Sequence, residues 1–411
     1  MSGTNKLKIL NDPIYGFITL PNELIYDLVS HQYFQRLRRI SQMGLSYLVY
    51  PGAQHTRFYH ALGSMHLMQK AVEVLRYKDV AISGEEENAL YIAILLHDIG
   101  HGPFSHAMEH SIVENIRHEE ISMLFMDRLN EEMGGRLSLA IKIFRGDYHR
   151  KFMLQLISSQ LDMDRMDYLK RDSFFTGVAE GNINSDRLIQ MLNVKDDVLA
   201  IEEKGIYSVE KFLMARRLMY WQAYLHKTSL AAELMLMKVL KRAREIARKE
   251  LVVPCSSSLA YFLSNHVTIE DFNNEILDKF ARLDDFDIIS ALKTWQDHDD
   301  PVLSELSRMI INRDLLKIRV STTKFSAEEL SQYRERFALD ARFNPGDAKY
   351  FIFKGKIKNQ AYNKESEPIH ILMKNGDMED VAEASDQLNL KALSKPVTKY
   401  YICFPKQQGE K

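Results

Sequence analysis

Apolar residues recur near the 3.6-residue helical period from Glu23 to about Met43, where Leu24, Leu28, Phe34, Leu37 and Ile40 share one side. The period returns from about Ala61 to Tyr77, with Leu62, Met65, Leu67, Met68, Ala71, Val72 and Leu75 directed inward. Ser83-Gly84-Glu85-Glu86 carries a capping-box signature, with Ser83 as N-cap and Glu86 at the third helical position. The helix it opens, roughly 84–97, is apolar on nearly every side, which places it in the centre of a domain. Gly100, Gly102 and Pro103 end it. Helical spacing continues at 118–133, 137–145 and 151–172, then over 208–250 as one stripe without Pro, and in shorter pieces over 257–312.

The pattern changes near residue 315. LLKIRVST (315–322), KYFIFKGKI (349–357), IHILMK (369–374) and KYYICF (399–404) are β-rich runs, with a helical piece at 326–339. Residues 1–20 read as a short extended arm, because Asp12-Pro13 and Leu20-Pro21 break helix around YGFITL. The expected fold is mainly α: a helical body over 1–314, including an N-terminal arm at 1–22, and a smaller C-terminal α+β appendage over 315–411.

Composition narrows the function classes. Of 411 residues, 45% are apolar, enough to bury a core without staples, and 54 basic against 56 acidic residues leave a net charge of −2. That balance excludes a globally basic nucleic-acid coat and a strongly acidic tail. Cys255 and Cys403 are the only cysteines, which excludes a disulfide framework and implies a reducing compartment. The first twenty residues lack the apolar run of a signal peptide, and the longest apolar run, 89–96, is far too short to span a bilayer. A cytoplasmic protein without a membrane partner is expected. No G-x-x-x-x-G-K-[ST], G-x-G-x-x-G, C-x-x-C or G-x-S-x-G occurs.

Histidine is unevenly spread. Of 14 in the chain, His55, His60, His66, His97, His101, His106, His110 and His118 fall between residues 55 and 118. The central helix ends in LLHDIGHGPFSH, and a carboxylate buried there needs a cation. A divalent metal bound by His97 and Asp98 answers that need; a metal-free His–Asp hydrogen bond is the alternative. Further ligands must come from elsewhere, with His60 in TRFYHALG and Asp164 in QLDMDRMDYLKRD the best placed. Two His and two Asp would accept iron, manganese, zinc, nickel or magnesium.

His60, His97-Asp98 and Asp164 form an H…HD…D pattern that resembles the HD-domain metal-dependent phosphohydrolases. FQRLRRISQMG, YPGAQHTRFYHALG, LLHDIGHGPFSH, LDMDRMDYLKRD and QAYLHK, preceded by NDPIYGFITLP, resemble in order and spacing the dNTP triphosphohydrolases of the SAM-and-HD-domain type. The likeness runs from about residue 11 to 228, and no SAM domain precedes it. It implies His60, His97, Asp98 and Asp164 as ligands of one divalent metal. It also implies His106 and Glu109 as a catalytic dyad, and His101 and His118 as further histidines at the phosphate site. Gln42 and Asp172 match residues that face the sugar 3′-hydroxyl. Arg57, Arg165, Tyr168 and Arg216 match phosphate contacts, and Tyr224 matches a tyrosine on the sugar. Arg165 stands where the family usually has lysine, which exchanges a point donor for a planar fork. Of a guanine-reading activator site, Gln35 and Arg38 match, but Ser30 occupies the aspartate position.

The resemblance implies hydrolysis of dNTPs at the α-phosphate to deoxynucleoside and triphosphate, with magnesium accompanying the nucleotide, and a homo-oligomer, dimer or tetramer. The alternatives are an HD phosphodiesterase or nucleotidase on another phosphate ester, a two-iron oxygenase, and a nucleotide- or nucleic-acid-binding module with a vestigial site. Lys238, Lys241, Arg242, Arg244, Arg248 and Lys249 form a basic stretch that reads as a solvated helix face rather than a nucleic-acid surface.

Overall fold

The computed structural model describes residues 8–104, 108, 113, 116–365, 367–386 and 395–406. The expected arm is a hairpin: β1 (Lys8–Asp12) pairs antiparallel with β2 (Gly16–Leu20). Asp12 turns it, accepting from the backbone N–H groups of Ile14 at 2.8 Å and Tyr15 at 3.0 Å. Its other oxygen accepts from Arg171 at 2.8 Å, so the hairpin is tied to the body.

The fold is mainly helical, as its spacing predicts. At the centre lies the helix Gly84–Leu96, buried without interruption from Ala89 onward and opened by the expected capping box. The backbone N–H of Glu86 donates to Ser83 Oγ at 3.1 Å, and that of Ser83 donates to Glu86 Oε2 at 2.8 Å. Helices Arg57–Tyr77 and Ser138–Arg145 pack against it. The Arg57–Tyr77 helix starts four residues before the expected Ala61, which puts His60 in its first turn.

Three expected continuous helices are interrupted, one where a buried arginine reaches distant acceptors and two where a side chain caps a new helix. The 23–43 stretch is Glu23–Ser30, then Gln32–Gln35 and a 3-10 turn Arg36–Arg39. Arg36 is fully buried there and donates to the carbonyls of Leu283, Ile99 and His101, three distant acceptors that set the backbone. The 151–172 stretch splits into Lys151–Ile157 and Met163–Thr176, because Asp162 caps the second helix through Arg165 N–H at 2.7 Å. The 208–250 stripe divides into Ile206–Met219, a π-helical turn Tyr220–Tyr224 and Lys227–Ala247. The His226 ring caps the last by accepting from Thr228 N–H at 3.2 Å.

One hairpin escaped the helical reading: β3 (Leu192–Lys195) and β4 (Val198–Glu202), joined through Asp196 and Asp197, both at positive φ. Further on come β5 (Lys317–Ser321), β6 (Phe353–Asn359), β7 (His370–Leu372), β8 (Met378–Asp380) and β9 (Val397–Phe404). The β-rich run at 349–357 opens as a helical turn, Ala348–Phe351, before β6 begins. The helical piece expected at 326–339 is Ala327–Phe337. The late strands form a sheet of order β5-β9-β6, while β7 pairs parallel with β4 and antiparallel with β8. Residues after 315 thus complete a sheet begun in the middle of the chain. Among the described residues no helix is long and apolar enough to cross a membrane.

Candidate active site

The central helix stops at Leu96, and the turn that follows aims His97, Asp98 and His101 into one cavity. Ser122 holds the turn: its hydroxyl accepts from Gly100 N–H at 2.9 Å and donates to the His97 carbonyl at 2.8 Å. His97 Nδ1 donates to the Ile94 carbonyl at 2.6 Å, which leaves its Nε2 as the lone-pair nitrogen. His60 is oriented the same way, with Nδ1 donating to Asp167 Oδ2 at 2.8 Å. Both Nε2 atoms are buried without a hydrogen-bond partner among the described residues.

Those two nitrogens face two carboxylates. Asp164 Oδ1 lies 3.1 Å from His60 Nε2 and 3.5 Å from His97 Nε2. Asp98 Oδ1 lies 3.3 Å from His97 Nε2, and its Oδ2 lies 3.7 Å from His60 Nε2. Orphaned imidazole lone pairs among carboxylates suit a divalent cation, so the residues fit a metal. Burial works against charge on His60, yet with no cation between them Asp164 and Asp167 push its pKa up to about 10, and a bound ion would take the place of that Nε2 proton. Burial likewise opposes the Asp98 carboxylate, but His97, His101 and Arg57 hold its pKa well below the ordinary range. Arg57 is the cationic partner for Asp98 that the sequence did not disclose: its Nη1 donates to Asp98 Oδ2 at 2.5 Å.

His101 Nε2 lies 3.2 Å from Asp98 Oδ1, and its ring stacks on that of His118 with centroids 3.7 Å apart. Burial and the Arg57 charge keep the His101 pKa well below normal. Asp98, His101 and His118 make a second set of donors within reach of one another. His106 and Glu109 lie outside the described residues.

The cavity holds about 470 Å³. Beyond the metal-facing carboxylates, Gln42, Arg57, Arg165, Tyr168, Asp172 and Tyr224 line it. Arg165 is anchored by Asp162, and Gln42 Oε1 is buried without a hydrogen-bond partner among the described residues. Tyr224 donates its hydroxyl to Asp172 Oδ2 at 2.7 Å, and burial beside that carboxylate raises its own pKa well above normal. Arg216 is not in the cavity wall; its charge is felt at the Tyr168 hydroxyl.

Sequence reasoning gave no role to His55 or Asp167, and it passed over Ser229 and Glu233, which also line the cavity. Asp167 carried a usable signal, standing four residues before Arg171, which grips its carboxylate at 2.9 Å through both Nε and Nη2. Ser229 and Glu233 carried none. The basic stretch of the long helix is partly consumed internally. Arg242 forks onto Asp300, Arg244 is buried, and the Lys238 ammonium sits 4.7 Å above the Phe353 ring.

The HD domain family matches residues 57–172, the stretch that contributes all four metal-facing side chains, and the HD associated region matches 183–254. An uncharacterized protein of Bacillus subtilis (strain 168), YwfO, is 32% identical over 396 residues, covering 92% of this chain and 88% of that protein. The crystal structure of a phosphohydrolase from Bacteroides thetaiotaomicron VPI-5482 is 50% identical, covers 98% of this chain and 100% of its own, and superimposes with a TM-score of 0.94. The deoxynucleoside triphosphate triphosphohydrolase SAMHD1 homolog of Dictyostelium discoideum is 29% identical over 360 residues, covering 80% of this chain and 65% of that protein. With its His and Asp donors arranged for a divalent ion, the chain belongs to the HD-domain phosphohydrolase family.

Proposed function

We propose that this phosphohydrolase cleaves deoxynucleoside triphosphates at the α-phosphate, releasing a deoxynucleoside and inorganic triphosphate. One observation carries the reading: a single cavity joins the metal-facing carboxylates to an arginine-flanked wall that ends on Asp172 and Tyr224. Its volume of about 470 Å³ suits a nucleotide. The name borne by the relative from Dictyostelium discoideum points the same way.

A divalent ion held by His60, His97, Asp98 and Asp164, with magnesium brought by the nucleotide, would supply Lewis-acid polarisation of phosphoryl oxygen and a lowered pKa for water. Arg57 and Arg165 neutralise the phosphate chain, with Arg216 adding charge from outside the wall, and Tyr168 donates to it. His101 and His118, stacked on one another beside Asp98, line the phosphate site. His106, with Glu109, is assigned the proton transfer: water attacks the α-phosphorus, the bond from phosphorus to the 5′-oxygen breaks, and that oxygen takes a proton as it leaves. Gln42 and Asp172 bind the 3′-hydroxyl, while Tyr224 closes against C2′.

Purified protein incubated with each dNTP, with products resolved by chromatography, tests the proposal. Triphosphate release supports it. Pyrophosphate or monophosphate release indicates a phosphodiesterase or nucleotidase instead, and tight binding without turnover indicates a binding module. Assembly into a dimer or tetramer belongs to the same reading, and light scattering at a monomer mass with and without nucleotide would contradict it.

A further inference from the structure

His55 is joined to both residues assigned to the 3′-hydroxyl. Its ring Nε2–H donates to Asp172 Oδ1 at 2.7 Å, and its backbone carbonyl accepts from Gln42 N–H at 3.0 Å. The side chain has no exposed surface, so it touches no substrate. Nδ1 makes no hydrogen bond among the described residues, which leaves Asp172 as the ring's polar anchor. The ring stacks on Phe175, centroids 4.4 Å apart and planes 14° from parallel.

The loop carrying His55 is itself pinned between the two elements that present Asp172 and Tyr224. The Tyr50 hydroxyl donates to the Gln222 carbonyl in the π-helical turn. Gly52 packs onto the last turn of the Met163–Thr176 helix so closely that a Cβ there would come within 2.5 Å of the Phe175 carbonyl oxygen.

We infer that His55 is a positioning residue for sugar recognition, fixing the Asp172 carboxylate and the Gln42 backbone in the arrangement that receives a 3′-hydroxyl. The inference rests on the proposed dNTP reading. A carboxylate has about four acceptor sites. Two of those on Asp172 are taken by His55 and Tyr224, which orients the remainder. Without the His55 N–H the carboxylate can rotate, and a substrate is then no longer distinguished by its 3′-hydroxyl.

The test compares kcat/KM for dGTP and for 2′,3′-dideoxy-GTP, which lacks only that hydroxyl. The wild-type protein should favour dGTP at least tenfold. His55→Phe keeps the stacked ring and removes the donor, and should shrink the preference to that of Asp172→Ala, with less than threefold change on the dideoxy substrate. His55→Gln retains a donor and should keep most of the preference. A folded His55→Phe protein with the wild-type preference overturns the inference. Where His55→Phe does not fold, a folded His55→Gln protein whose preference falls to the Asp172→Ala level overturns it as well. Failure of the dNTP reading looks different: the wild-type protein then turns over neither nucleotide. Equal wild-type rates on both would sink the assignment of Asp172 and His55 together.

Discussion

Asp167 Oδ2 sits 2.8 Å from His60 Nδ1, on the side of the ring opposite the carboxylates of the candidate metal centre. Both carboxylate oxygens of Asp167 are gripped by Arg171, so the histidine is oriented by an anion that is itself held still. Such outer partners fix the tautomer of a ligating imidazole and raise its basicity. Asp167→Asn should weaken metal affinity by about 10- to 100-fold. Competition against a chelator measures it, and wild-type affinity in a folded variant would remove Asp167 from this role.

Asp98→Ala should remove both bound metal and hydrolysis while leaving a folded chain. Its carboxylate lies between His97 and His101 and takes a hydrogen bond from Arg57, so one truncation unmakes the centre of the constellation. Elemental analysis checks it, since full metal occupancy in the folded variant would take Asp98 out of the ligand set.

Gly63 permits the close approach of the Arg57–Tyr77 and Met163–Thr176 helices. A Cβ there would lie 2.0 Å from Asp167 Oδ1 and 2.2 Å from Arg171 Nη2. Gly63→Ala should cost about 1–3 kcal/mol or more, the usual penalty for overpacking, and should lower metal affinity by displacing Asp167. Urea denaturation reads the first effect, and an unchanged midpoint would contradict it.

The Tyr224 hydroxyl is committed to Asp172, so its ring is held against the place proposed for the sugar. A ribose 2′-hydroxyl forced onto that ring finds no partner, a loss of about 1–3 kcal/mol. dGTP should be preferred over GTP by at least tenfold, Tyr224→Ala should shrink the preference, and Asp172→Ala should weaken turnover of both. No base reader was evident in the sequence, so modest selectivity among the four bases is expected. Equal rates on dGTP and GTP would sink the pocket assignment; a Tyr224→Ala protein with reduced stability and an unaltered sugar ratio would make Tyr224 a core residue.

Burial pushes the Cys403 thiol up to about 12 and the Cys255 thiol up to about 11. Both pKa values are raised, so the thiolate form is scarce below them: about one part in 10⁴ for Cys403 and one in 10³ for Cys255 at pH 8. Native protein should alkylate slowly at that pH, Cys403 slowest, with both thiols reacting freely in denaturant. Rapid labelling of the native chain would contradict these environments.

What the sequence determined by itself rests on short-range physics. The capping box at Ser83 and Glu86, the all-apolar helix behind it and the His97-Asp98 pair at its end are legible because each depends on neighbours within about two helical turns. The β-rich runs after residue 315 are legible through alternation, although β7 found its partner in β4, more than 160 residues earlier, which no local pattern encodes. Tertiary structure alone decided the helix breaks at His31, Asp162 and Leu225. It also decided the contacts of Arg57 with Asp98, Asp167 with His60 and His55 with Asp172. Spacing predicts which side chains share a face, whereas a buried polar group selects its partner from whatever chain the fold brings within about 3 Å, because leaving it unpaired costs about 1–3 kcal/mol.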